Sequence, residues 1–292
     1  MLCSRPRQES LLKLAGIAVA LFLMASQSQA TPTWTSIDYP GADLTVAAAI
    51  NNNGVIVGRY KTGGSDLFHG FVLSGGTYTT LDYPGSTQSE IDSITDTGLM
   101  VGTYFDASFN YHGYLYDGQT FTSLDYPGFG PTVATGVNSS GEVVGAFADN
   151  HGAAHGFTYT NGVYAAFDPP RSNFTIPAAI DNLGNISGYF TNPNSQIFEE
   201  GFVLTVGGSY RYIVYPGAAT TEIRGMNDKR QLVGIIGDGF GGVASFINRN
   251  GQFQKIAYPG STRTDASGID NAGEVVGDWE DATTAHGFLR TP

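Results

Sequence analysis

The 292-residue chain has a single cysteine, Cys3, and it falls within the first thirty residues. Beyond that segment no disulfide or thiolate metal site can form, so stability must rest on apolar burial and backbone pairing. Lysine is scarce too: after Lys13 only Lys61, Lys229 and Lys255 occur. The sequence has no basic cluster able to track a phosphate backbone or an anionic bilayer, which argues against nucleic acid and membrane surfaces as partners. No window repeats apolar residues at helical spacing over a useful length. The Gly-x-Ser-x-Gly elbow, His-Glu-x-x-His, phosphate loop, dinucleotide fingerprint and sialidase-type Asp box are all missing. Long apolar runs are absent except over residues 14–25, and that run is short for a spanning helix.

The run follows Arg5, Arg7 and Lys13 and precedes Ser28-Gln29-Ala30, the layout of a secretory signal peptide. The expected organisation is a leader over 1–30 and one domain over 31–292. Cleavage would leave eleven Lys and Arg against twenty-five Asp and Glu, a formal charge of −14. The expected location is the periplasm or the medium, with no membrane insertion after cleavage and a monomeric product.

What the sequence does contain is one phrase written six times. A Val-Gly marker, or a variant of it, places its glycine at Gly58, Gly102, Gly145, Gly188, Gly234 and Gly277, in steps of 44, 43, 43, 46 and 43 residues. A fixed period of this size marks supersecondary units that cannot bury their apolar faces alone. In the first unit, candidate strands at 45–50, 55–60, 68–73 and 77–82 are separated by Asn-Gly, Gly-Gly and Pro-Gly turn residues. Four short strands in about 43 residues make one propeller blade. The chain starts its repeats with a fourth strand (34–38) and stops after a third strand (286–290). The predicted fold is therefore all-β: a six-bladed β-propeller of four-stranded blades, closed by the N-terminal strand joining the last blade.

Several columns of the repeat are uniform. Small residues (Ala49, Ser93, Gly136, Ala179, Gly225, Gly268) suit crowded innermost strands, and hydroxyls (Thr45, Ser89, Thr132, Thr175, Thr221, Thr264) are expected to bond nearby backbone. Aromatics after the marker (Tyr60, Tyr104, Phe147, Phe190, Trp279) and in the third strand (Phe71, Tyr114, Phe157, Phe202, Phe246, Phe288) are expected to pack between blades. A histidine and an aspartate recur in register as His69/Asp82, His112/Asp125, His155/Asp168 and His286/Asp38. Both partners are missing together at Glu200/Val214 and Ala244/Ala257. Acid–base or metal chemistry is one reading of such pairs, but four copies around a ring cannot serve one site. Buried structural ties are the expected role.

Positions that break the repeat have no scaffold explanation. Where Val46, Val133 and Ile176 stand in other units, Glu90, Glu222 and Asp265 appear, and two residues after the first two of these come Asp92 and Arg224. If first strands line the axis, these five side chains share its channel and form a candidate ligand site. Oxygen ligands from several blades could hold Ca²⁺ or Mg²⁺ there; alternatively, Arg224 neutralises the carboxylates or they are solvated in a wet channel. No catalytic residue and no other cofactor is assigned.

The phrases His69-Gly70-Phe71, His155-Gly156-Phe157 and His286-Gly287-Phe288, with Ile-Asn-x-x-Gly-x-Val-Val-Gly, resemble the HAF-repeat family of extracellular repeat proteins. That family is named for a His-Ala-Phe triplet; here the middle residue is Gly, and His112-Gly113-Tyr114 departs further. The resemblance covers essentially the whole chain after the leader. It implies secretion and a repetitive β architecture, and it brings no established activity. The function expected is a binding or interaction module for a glycan or an extracellular protein rather than an enzyme. The alternatives are a metal-assisted lyase or hydrolase at the axial funnel, or a purely structural envelope or matrix component.

Overall fold

Turn chemistry sets the strands. In the first repeat Asn51 Oδ1 accepts from the amides of Asn53 and Val55 at 3.1 and 3.0 Å. Gly54 then takes φ +74°, a left-handed conformation open to a residue without Cβ. The first two strands of the repeat must then fold back on each other, and the equivalent turn does the same in all six repeats. The computed structural model describes residues 31–238 and 243–292, and these form twenty-four strands in six antiparallel sheets of four. The sheets stand in a ring as the blades of a β-propeller. The leader assigned to 1–30, with Cys3, lies outside the described residues.

The first strands of blades one to six are Leu44–Ile50, Gln88–Ile94, Thr132–Val137, Phe174–Ile180, Thr220–Met226 and Arg263–Ile269, and they surround the axis. The small-residue column lies where neighbouring first strands touch: a Cβ on Gly268 would meet Ala49 Cα at 2.9 Å. The strand Thr33–Ile37 pairs antiparallel with Ala285–Thr291, setting Trp34 opposite Arg290 and Ile37 opposite Gly287. Its Trp34 ring lies 5.2 Å from that of Phe288. The sixth blade is thus finished by the earliest strand of the ring.

The Val-Gly marker and the third-strand aromatic explain each other. Gly58 sits opposite Phe71 across the sheet, and a Cβ there would stand 2.0 Å from Val46 O and 3.0 Å from the Phe71 ring. Only glycine leaves room for both. Phe71, Tyr114, Phe157, Phe202, Phe246 and Phe288 are accordingly all fully buried.

Blades are joined by stacked rings. In four of the five Tyr-Pro-Gly loops the tyrosine lies flat on the marker aromatic of the next blade: Tyr39 on Tyr60 at 3.6 Å, Tyr83 on Tyr104 at 3.7 Å, Tyr126 on Phe147 at 3.7 Å, Tyr258 on Trp279 at 4.2 Å; the fifth, Tyr215, meets Ile236 at the marker position. Each stacked pair is worth about 0.5–1.5 kcal/mol beyond its buried area. The hydroxyl column orients these tyrosines, because Thr45, Ser89, Thr132, Thr221 and Thr264 accept the tyrosine amide at 2.9–3.1 Å. In the remaining repeat that residue is Pro169, which has no N–H to give, and Thr175 turns to Ser172 instead.

The imidazoles lie on the far side of the marker aromatics, at centroid distances of 4.6–5.6 Å. Their Nδ1 atoms meet Asp82, Asp125, Asp168 and Asp38 at 2.8, 2.6, 2.7 and 2.8 Å. The pairing matches the sequence register, but the ties are not buried. The His side chains are 25–43% exposed, because the third strand emerges at the rim beside the loops. Their stabilisation is correspondingly modest.

Candidate functional site

Every first strand carries a β-bulge at the same place. Pairing with the second strand skips one residue in each blade: Ala48, Asp92, Thr135, Ala178, Arg224 and Ser267. A bulge bends its strand and re-aims a side chain, and here all six point at the axis. They form a waist shared by two cavities. Towards the Asn-Gly turns lies a cavity of about 110 Å³. Towards the Tyr-Pro-Gly loops opens a funnel of about 340 Å³.

The far end is closed by a ring of hydrogen bonds between turns. Asn52 N donates to Asp96 Oδ1 at 2.8 Å, Ser139 N to Asn182 Oδ1 at 2.9 Å, and Asn182 N to Asp228 Oδ1 at 2.9 Å. Asp228 N donates to Asn271 Oδ1 at 3.1 Å, and Asn271 N returns to Asn52 Oδ1 at 2.8 Å across the seam. The link from Asp96 to Ser139 is missing, since a serine side chain is too short to supply the acceptor. These turns thus serve the scaffold.

The funnel holds the charges, in three groups, each an arginine with its acids. Arg59 Nη1 meets Glu90 Oε2 at 2.7 Å, with Asp92 nearby. Arg263 grips Asp265 with two bonds of 3.1 and 2.6 Å, with Asp278 beside them. Arg224 Nη2 meets Glu222 Oε2 at 2.5 Å, and Glu199 hydrogen-bonds to the same carboxylate. Each arginine has one acid as its near partner, Arg263 reaching Glu280 Oε1 as well at 3.8 Å, and every group keeps acids in excess of its single cation. The remaining carboxyls, Asp92, Asp278 and Glu199, are each pushed up to about 7. The first cause is burial, which disfavours the charged form; the second is the neighbouring carboxylate, respectively Glu90, Asp265 and Glu222. Across from the Arg59 and Arg263 groups the wall is apolar, with Ile176, Pro177, Ile235 and the Tyr189 ring, and the Arg224 group is set on that wall: Glu222 pairs with Ile235, and the Arg224 guanidinium lies over Tyr189 at 5.4 Å.

Of the five residues proposed from sequence, Asp92, Arg224 and Asp265 line the funnel, while Glu90 and Glu222 stand behind it as partners of Arg59 and Arg224. Sequence reasoning missed Arg59, Asp278, Arg263, Tyr189 and Glu199. Arg59, Tyr189 and Asp278 all follow a marker glycine directly, and sheet pairing sets Arg59 across from Val46 and Asp278 across from Asp265. That column carried the missed signal. The donor set does not fit a divalent ion: a guanidinium sits among the acids of every group. Among the described residues no three His, Cys, Asp or Glu side chains converge as a metal site would require.

No protein-family model matches the chain, and no curated protein sequence matches it. Solved structures do. A putative TolB from Agrobacterium tumefaciens superposes with a TM-score of 0.59 at 12% identity, over 85% of this chain and 90% of its own. Trypanosoma rangeli sialidase gives 0.55 at 10% identity, over 85% of this chain and 54% of its own, so the chain spans about half that enzyme's length. A mutant Aleuria aurantia lectin in complex with Fucalpha1-6GlcNAc gives 0.53 at 10% identity, over 87% and 93%. Identities this low establish a shared propeller fold and leave the site to be read on its own chemistry.

Proposed function

We propose that this protein is an exported binding module, secreted or periplasmic, that holds a glycan or an extracellular protein at the axial funnel. The observation that carries the reading is the funnel's two-sided lining. The arginine–carboxyl groups of Arg59 and Arg263 break an otherwise uniform repeat and face an apolar wall of Ile176, Pro177, Ile235 and Tyr189, on which the third group, that of Arg224, is set. A carbohydrate ring suits that arrangement: hydroxyls exchange hydrogen bonds with carboxyls and guanidinia, and the ring's C–H face rests on apolar side chains. Carboxyls that titrate near neutrality can both donate and accept. The lectin among the structural neighbours and the signal-peptide layout of the sequence over 1–30 support the same reading. Membership of the HAF-repeat family belongs to the proposal as well, on the strength of the recurring triplets.

The experiment is a glycan-array screen of the wild type beside Asp92→Asn/Asp278→Asn, a change that keeps shape and removes charge. Binding in the wild type that weakens by about tenfold or more in the variant, with an unchanged fold, supports the funnel. A blank array, or binding indifferent to the substitutions, removes the glycan and leaves protein partners to be screened the same way. A hydrolase or lyase reading draws on the same near-neutral carboxyls, which suit general acid–base roles.

A further inference from the structure

Near its end the third strand carries one more column that the last blades break. Opposite a fourth-strand aromatic, blades one to four place Leu73, Tyr116, Tyr159 and Leu204, each half-buried against an apolar cluster. In blade six the same register sets Arg290 opposite Trp34. Arg290 is only 4% exposed, deeper than the apolar residues whose place it takes. Its guanidinium has no hydrogen-bond acceptor and no anion among the described residues. The Trp34 ring, 5.8 Å away, attracts the charge but cannot accept from five N–H donors. A buried charge left in that state is costly unless something from outside completes it.

The neighbouring blade makes the imbalance larger. Where other blades end this strand on Ser74, Asp117, Thr160, Thr205 or Thr291, blade five has Arg249. It too is without an ion pair among the described residues. Its Nη2 lies beside the turn of blade six, 3.4 Å from where a Cβ on Gly273 would stand. Burial, and then repulsion from Arg249, lowers the pKa of Arg290. Acids outnumber bases 26 to 14 in this chain, so two adjacent arginines without a carboxylate are not explained by a shortage of partners.

We propose that Arg290 and Arg249 bind an oxyanion group, a carboxylate or a phosphate, at the seam between blades five and six. The site lies beside the Asn-Gly turns, away from the funnel, and does not depend on the funnel's role. The mode of binding is already present elsewhere in the chain: Arg263 holds Asp265 through Nε and Nη2, at 3.1 and 2.6 Å. In Arg290 only Nη1 is sealed from solvent, so the same Nε and Nη2 edge stays open and unused. Two oxygens on that edge would be gripped as a fork. Arg249 adds the second positive charge, and mutual repulsion becomes shared attraction to one ligand.

Calorimetric titration of the full-length protein with inorganic phosphate, acetate and acetamide in chloride buffer tests the site. Acetamide keeps the shape of acetate without its charge. The expected result is saturable binding of an oxyanion, with acetamide about tenfold weaker or silent. Tighter binding of acetate identifies a carboxylate as the group recognised, and tighter binding of phosphate identifies a phosphate. Arg290→Leu gives blade six the residue that blades one and four carry, so it should fold, and it should bind about tenfold more weakly or not at all. Arg249→Ser, which copies Ser74, should weaken binding in the same direction and serves if the first variant does not fold. No saturable binding of either oxyanion, equal binding of acetamide, or undiminished binding by either folded variant overturns the site.

Discussion

At the scale of the residue, repeated positions are set by sterics and unrepeated ones by charge. The marker glycines have no space for a methyl group. Gly58→Ala would push Cβ to 2.0 Å from a backbone carbonyl that sheet pairing fixes. The expected cost is about 2–3 kcal/mol, read as a lower denaturation midpoint at unchanged slope. The funnel acids behave oppositely to surface acids. Asp92 and Asp278 titrate near 7 in the folded chain, against about 3.9 when unfolded. The folded state therefore binds the extra protons between those values. The stability this provides is complete below about pH 3.9 and is lost as pH rises through 7. His155, raised chiefly by its bond to Asp168, acts in the same direction: its stability is complete below about 6.5 and is lost as pH climbs through its raised folded value. Asp106, lowered to about 2 by its bonds to Asn110, acts the other way and destabilises only as pH falls from about 3.9 toward 2. The melting temperature of the wild type should accordingly fall between pH 5 and 8. In Asp92→Asn/Asp278→Asn the fall should be shallower, because a neutral amide has nothing to ionise, while Glu199 keeps part of the slope. An unaltered slope would contradict the funnel's charge assignment.

At the scale of the element, the bulged first strand and the turn that follows it carry the architecture of the axis. The bulge was illegible in the sequence for a physical reason: it occurs in all six blades, so it leaves no irregularity in the spacing. Glu90, Asp92, Glu222, Arg224 and Asp265 could be picked out as exceptions to a column, and the structure gathers them around the funnel. Arg59 and Asp278 could not be grouped with them until strand register placed the second strand beside the first. The ring of turns was hidden in another way. Each Asn-Gly segment is fully explained as a local hairpin, and nothing in one repeat announces a bond to the next. The broken link gives that ring a test. Ser139→Asn should supply an acceptor for the Asp96 amide and raise stability by about 0.5–1 kcal/mol in urea titration. Asp96→Asn, at a link already made to the Asn52 amide, should give no such gain.

At the scale of the whole molecule, period, blade number and closure were all legible, since they follow from where the repeats start and stop. The His–Asp register was legible as well, down to its two absences. The degree of burial was not, because depth in a blade depends on how far the third strand rises toward the rim. The molecule that results is a ring whose repeated fabric is broken at the funnel and at the joints of the fourth and fifth blades, where Pro169 and Ile236 each remove one ring of the stack and the His–Asp tie is missing. Its continuity depends on five residues, Thr33–Ile37, laid against the last strand of the chain. Amide hydrogen exchange on the intact protein tests that closure most directly. The expected result is that the ladder amides of 33–37 are protected as strongly as those of 285–291 and are released together with them in one cooperative opening. Free exchange over 33–37 while the remaining blades stay protected would mean that the ring is open and that no closed axis exists to hold a ligand.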